Sequence, residues 1–335
     1  MQFGYREECL DHETGRRHPE TADRLRAIRR ALARQHAVEY VAGDPASGDE
    51  LRAVHDADYV AAVEEFCANG GGAWDQDTVA VGATWDAARS SAGLARWAAE
   101  AALDGADGRA TPFSIGRPPG HHATIDNAMG FCFFNNVAVA AQAVIDARDE
   151  VERVAIFDWD VHHGNGTQDI FYEQGDVFYI SIHESGLYPG TGEVTETGAG
   201  EGAGTNLNLP LPGGSGDVEY LAALDDAIRP AVEAFDPDLF LVSAGFDAHR
   251  HDPISRMRVS TDGYGVLTQR VRELCADTDA ALAFVLEGGY GLDALAESVV
   301  MVHEVFDGFQ PVTPDGDTSE RALSVIEDAL DALDL

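Results

Sequence analysis

From residue 112 onward, short apolar runs rich in Val, Ile and Phe recur at 112–116, 153–159, 177–182, 205–209, 238–243 and 281–286. Apolar runs of that length are what strands buried in a sheet require. Between most of them lie longer stretches, 135–147, 217–235 and 261–276, with the three- and four-residue apolar spacing of helices. Strands alternating with helices predict an α/β fold whose parallel sheet is covered by helices on both faces. The amino-terminal third reads as helical: 21–35, with Thr21 as a cap and Leu25, Ile28 and Leu32 on one face, then 56–68 and 83–104 around a Gly70-Gly71-Gly72 loop. A Pro- and Gly-bearing linker over 307–318 divides a main domain, 1–306, from a terminal helix, 319–335. Leu323, Ile326, Leu330 and Leu333 form a stripe with which that helix packs on the same domain.

Composition changes the picture in one respect. The chain of 335 residues carries 59 acidic and 22 basic side chains, a formal charge of −37, and all the basic ones are arginine. Such a surface repels nucleic acid and anionic lipid, which excludes direct nucleic-acid binding as a function class. It also predicts a protein adapted to concentrated salt, where the screening length drops to about 3 Å. Without lysine there is no phosphate-binding loop of the G-x-x-x-x-G-K-[ST] kind. Neither a signal peptide nor a membrane span is visible, so a cytoplasmic location is expected. The four cysteines, Cys9, Cys67, Cys132 and Cys275, have no metal-site or disulfide spacing and are expected to be reduced.

In parallel sheets, functional groups collect beyond the carboxyl ends of the strands. Here those ends lead into Arg117-Pro118-Pro119-Gly120-His121-His122, Asp158-Trp159-Asp160-Val161-His162-His163-Gly164-Asn165, His183, Ala244-Gly245-Phe246-Asp247 and Glu287-Gly288-Gly289-Tyr290. If extension persists past 158, Asp158, Asp160 and His162 share one face. With Asp247, two carboxylates and an imidazole then suit a catalytic divalent metal that leaves positions open. The Pro-Pro-Gly turn is expected to expose His121 and His122 as acid–base groups, oriented by Asp158 and Asn165. Tyr290, after a glycine pair, is placed to stabilise an oxyanion. The segment 130–136 and the loop from Tyr188 to Gly192 are candidate walls of a narrow channel, and 196–204 reads as a flexible surface loop. A metal, a water, two histidines and a tyrosine are the equipment of metal-assisted amide hydrolysis.

Together these motifs resemble the histone deacetylase family, and in particular its class II-like branch with acetylpolyamine amidohydrolases and acetoin-utilisation proteins. Also similar are His18-Pro19-Glu20 with Arg24, and the segments 129–136, 158–168, 243–247 and 287–290. The resemblance implies a single arginase-like domain around an eight-stranded parallel sheet. It implies zinc, with iron as an alternative, on Asp160, His162 and Asp247. It makes His122 the general base and then acid, His121 with Asp158 an electrostatic support, and Tyr290 the group that polarises the carbonyl. It assigns Gly130, Phe131 and Tyr188 to the substrate tunnel, and a structural K⁺ to Asp158, Asp160, His162, Ser181 and Ile182. Many members carry phenylalanine where Tyr188 stands.

The expected substrates are acetylated lysine side chains of proteins or peptides, because Ile254 stands where polyamine-specific members carry glutamate. Small acetylated amines are the alternative. Two other classes stay open: a ureohydrolase of the arginase fold, which needs two metals, and a non-catalytic acyl-lysine binding module. Oligomeric state is not legible.

Overall fold

The computed structural model describes residues 1–333. Ten strands occur in chain order: β1 (Gln2–Gly4), β2 (Glu39–Val41), β3 (Gly71–Ala73), β4 (Val79–Val81), β5 (Pro112–Ser114), β6 (Val154–Asp158), β7 (Val177–Glu184), β8 (Asn206–Leu211), β9 (Leu239–Ala244) and β10 (Ala281–Leu286). Eight of them form one parallel sheet in the order β2-β1-β5-β10-β9-β6-β7-β8. The remaining two, β3 and β4, make a small antiparallel hairpin. The expected eight-stranded α/β fold is therefore observed.

Alternation along each strand divides the core between the two faces. On β6, Ala155 and Phe157 enter one apolar cluster while Val154 and Ile156 enter the other. The first cluster lies under helices Asp23–Leu32, Thr261–Thr278, Leu292–Phe306 and Glu320–Ala332, the second under Ala57–Ala68, Thr84–Leu103 and Asn136–Ala147. Among the described residues no helix is long and apolar enough to cross a membrane. All four cysteines are buried and unpaired.

Several local expectations are corrected. The strands β1 and β2 were not foreseen, because three-residue segments carry no readable period. Thr21 does not cap its helix with its hydroxyl: the helix begins at Asp23, and Thr21 offers its main-chain carbonyl to Arg24 N–H. The predicted helix 217–235 runs its full length but widens to a π-helical turn at Leu224–Ile228. The segment 196–204 is not a loose loop: it contains a 3₁₀ turn, Gly200–Gly202, and Ala199 N–H donates to the Tyr172 carbonyl at 2.8 Å. On the terminal helix, Ala322, Ile326 and Ala329 are buried, whereas Leu323 is 38% exposed and off the packing face. The last two residues of the predicted 319–335 helix lie outside the described residues.

Two buried histidines set an expected pH dependence. His12, bonded through Nδ1 to the Thr84 hydroxyl, and His55, bonded to the Thr124 carbonyl, are both held by burial at a pKa of about 4, below the ordinary 6.5. Between those two values the unfolded chain binds more protons than the folded one, so stability rises with pH through this window and is lost as pH falls through it. In molar KCl, which screens the acidic surface, the urea midpoint is therefore lower at about pH 5 than at about pH 7. An equal or higher midpoint at the acidic pH contradicts this account.

Candidate active site and metal centre

Four strand ends build the site. β6 ends at Asp158 and the chain bends over 160–162, so His162 does not reach its place by continued strand alternation. Instead the turn 158–162 is held by its own aspartates: Asp158 Oδ1 accepts Asp160 N–H at 3.1 Å, and Asp160 Oδ1 accepts His162 N–H at 2.9 Å. From the end of β9, Asp247 accepts Val161 N–H on Oδ1 at 2.8 Å. From the end of β10, Gly288 N–H donates to Asp160 Oδ2 at 2.8 Å.

Ligand atoms of Asp160, His162 and Asp247 thereby converge within 4.8 Å of one another, all three side chains buried. His162 Nδ1 lies 3.0 Å from Asp160 Oδ1 and 3.2 Å from Asp247 Oδ2. The latter contact lacks hydrogen-bond geometry, and Asp247 Oδ2 has no partner although it is buried. Two carboxylates out of water beside one imidazole are unfavourable without a cation. Burial first, and then Asp160, push the Asp247 pKa up to about 7. A methyl on Gly245 would overlap the Asp160 carboxylate, and one on Gly288 would overlap the carboxylates of Asp160 and Asp247. The donor set, the orphaned oxygen and the glycine cradle all fit a divalent metal.

The two adjacent histidines lie beside this cluster with their rings 4.1 Å apart, and the expectation that they are exposed is overturned: both are buried, because the Pro-Pro-Gly turn folds inward. Their environments differ. His121 Nδ1 is 2.9 Å from Asp158 Oδ2. Burial opposes its charge, but the Asp158 and Asp160 carboxylates outweigh that and hold its pKa at about 10. His122 Nδ1 faces Asn165 Oδ1 at 2.8 Å, and Asn165 Nδ2 donates to the His122 carbonyl at 3.4 Å. That amide orientation makes Nδ1 the donor and leaves Nε2 with a free lone pair. Burial, then the neighbouring His121 and His162, push the His122 pKa well below the ordinary value. One ring is thus built to be charged and the other neutral.

Tyr290 lies edge-on to Phe131, centroids 5.8 Å apart, with the Arg24 guanidinium 5.1 Å from its ring. Burial, opposed by Arg24, raises its pKa well above 10, so its hydroxyl remains a donor. Gly130 and Phe131 both have positive φ, +56° and +71°, which turns the Phe131 ring against His18 at 4.6 Å. Tyr188 is 40% exposed and stands edge-on to His122 at 5.1 Å. Ser181 and Ile182 lie on β7, where Ser181 is the register partner of Asp158 and its hydroxyl is 2.9 Å from His183 Nδ1. Ile254 sits on the loop after Asp247 and donates its N–H to Asp252 Oδ1 at 3.1 Å.

Supporting residues went unread in the sequence. Glu287 is buried and accepts from Gly120 N–H and His121 N–H on one oxygen and from the Ser243 hydroxyl on the other. Beneath the histidine segment, Arg117 grips Glu20 through two bonds of 2.6 Å. A glutamate directly before a glycine pair, at a strand end, was the available signal for Glu287.

A family model described as the histone deacetylase domain matches residues 18–306. A probable deacetylase of Methanothermobacter thermautotrophicus is 45% identical over 303 residues, which span 88% of this chain and 88% of that one. A histone deacetylase-like amidohydrolase of Pseudomonas aeruginosa is 42% identical over 275 residues, 81% of this chain and 71% of that one. Among solved structures, the crystal structure of the HDA15 HD domain superposes with a TM-score of 0.90 at 37% identity, covering 99% of this chain and 96% of that one.

Proposed function

This chain belongs to the histone deacetylase family, and from that premise we propose that it hydrolyses the amide of acetyl-lysine in proteins or peptides. The observation that carries the reading is the buried Asp160/His162/Asp247 group, with its partnerless Asp247 oxygen, next to a neutral imidazole. A divalent metal held there, zinc in the first instance, supplies Lewis-acid polarisation of the acetyl carbonyl and acidifies the attacking water.

The chain's own groups do the rest. His122 Nε2 takes the proton of the water and passes it to the departing amine, a sequence that needs a ring neutral at the start. His121, charged against Asp158, steadies the negative charge that develops at the carbonyl. The Tyr290 hydroxyl donates to the same oxygen. The Gly130 carbonyl accepts the substrate amide N–H, while Phe131 and Tyr188 flank the aliphatic stem and Ile254 offers an apolar rim. A K⁺ bound by Asp158, Asp160, His162, Ser181 and Ile182 belongs to the same reading, as a structural ion.

The test is turnover of an acetyl-lysine peptide in high KCl. Tyr290→Phe lowers kcat by about 10²–10³, the loss typical of one oxyanion donor, and a hydroxamate chelator blocks the wild type. Tyr290→Phe with unchanged kcat removes the reading. The substrate class is tested alongside: a higher kcat/KM for acetylated polyamines than for the peptide replaces acetyl-lysine with a small amine. Peptide binding without turnover in metal-loaded protein favours a binding module.

A further inference from the structure

Tyr290 follows two glycines, and Gly289 has φ +114°, a region that side-chain-bearing residues rarely adopt. A glycine pair leaves the backbone free to take many conformations. The pair is held before the tyrosine, by Gly288 N–H on Asp160 and by Arg24 Nε on the Gly289 carbonyl at 2.7 Å, so the aim of the tyrosine hydroxyl depends further on what anchors the chain just after it. That anchor comes from a different loop. Asp252 Oδ2 accepts Tyr290 N–H at 2.7 Å and Gly291 N–H at 2.9 Å.

The other oxygen of the same carboxylate, Asp252 Oδ1, accepts Ile254 N–H at 3.1 Å. Asp252 is 8% exposed, and its own N–H donates to the His249 carbonyl at 2.8 Å, so the side chain is held at its base. The loop is fixed on its far side as well. The Ser255 hydroxyl donates to the Asp247 carbonyl at 2.6 Å, and Arg256 N–H donates to Glu184 Oε2 at 2.9 Å. Glu184 is itself buried at the end of β7.

We propose that Asp252 is a positioning residue that couples the tunnel rim at Ile254 to the aim of the Tyr290 hydroxyl, so that contact at the rim sets the carbonyl-polarising group. This rests on the role given to Tyr290 above. A displacement of about 1 Å in a catalytic group can lower a rate by about 10²-fold, and two short bonds to one carboxylate oppose it on the far side of Tyr290 from the Arg24 bond to Gly289.

A double-mutant cycle on an acetyl-lysine peptide tests the coupling. Asp252→Ala lowers kcat on the order of 10²-fold and shifts KM by less than about 3-fold. In the Tyr290→Phe background the same change alters kcat by less than about 2-fold, because the group it aims is already gone. Asp252→Asn keeps one oxygen for the N–H groups of Tyr290 and Gly291 but turns its amide donors toward Ile254 N–H. Its loss is about 10-fold in the wild-type background and again vanishes with Tyr290→Phe. The Asn cycle decides the matter if the Ala protein does not fold. A loss that persists undiminished in the Tyr290→Phe background overturns the proposal and leaves the deacetylase reading intact. Tyr290→Phe with full kcat overturns both.

Discussion

His122→Ala lowers kcat by about 10²–10⁴, the range for a lost general acid–base group, while KM for the peptide changes little. The expectation follows from the asymmetry of the histidine pair. Both rings are buried, yet His121 faces a carboxylate and His122 faces a neutral amide. Only the ring beside Asn165 is neutral near pH 7 and has a free Nε2. A base that is already protonated cannot take the proton of water, so His121 cannot replace it. Among the described residues the only side-chain hydrogen bond of the His122 ring is to Asn165, so the change strands a single amide group. Single-turnover measurement isolates the chemical step, and a variant that keeps kcat within about 10-fold of wild type removes His122 from the proton-transfer role.

The second large effect is on stability. Arg117 is fully buried: two of its nitrogens hold the oxygens of Glu20, and Nη1 donates to the Cys9 and His12 carbonyls at 2.8 Å each. Against the opposing effect of burial, Arg117 holds the Glu20 pKa down at about 2. Arg117→Ala deprives the buried Glu20 carboxylate of its two short bonds and leaves two carbonyl oxygens without a partner, and is expected to destabilise the fold by about 3 kcal/mol. Arg24, whose Nη1 is 3.4 Å from Glu20 Oε1, remains as a partner and offsets part of the loss. Urea midpoints decide: an Arg117→Ala protein as stable as wild type contradicts the account. Because Arg117 starts the turn that carries His121 and His122, lost stability here also loosens the site.

These two cases mark what was legible in the sequence. The central strands were, because continuous apolar runs such as 154–157 and 239–242 have no other use in a chain of this kind. The buried group of Asp160, His162 and Asp247 was legible because strand ends are where such groups gather, although the geometric reason was wrong: the chain bends over 160–162 instead of extending to His162. The burial of His121 and His122 was not legible, since a Pro-Pro-Gly turn does not reveal which way it folds. Glu287 and Asp252 were missed as supports because their partners are main-chain N–H groups far away in the chain, 167 residues for Gly120 and Glu287. Backbone donors carry no side-chain signature, so only the fold brings such pairs into view.

The account stands or falls on whether this chain's own Asp-His-Asp group makes it a metal-dependent deacetylase. The direct measurement is acetate release from an acetyl-lysine peptide by protein stripped of metal and then titrated with zinc. Release is expected to vanish on stripping, to return fully at a single equivalent of metal, and not to return in Asp247→Ala. Release that survives stripping, or that needs two equivalents, contradicts the account.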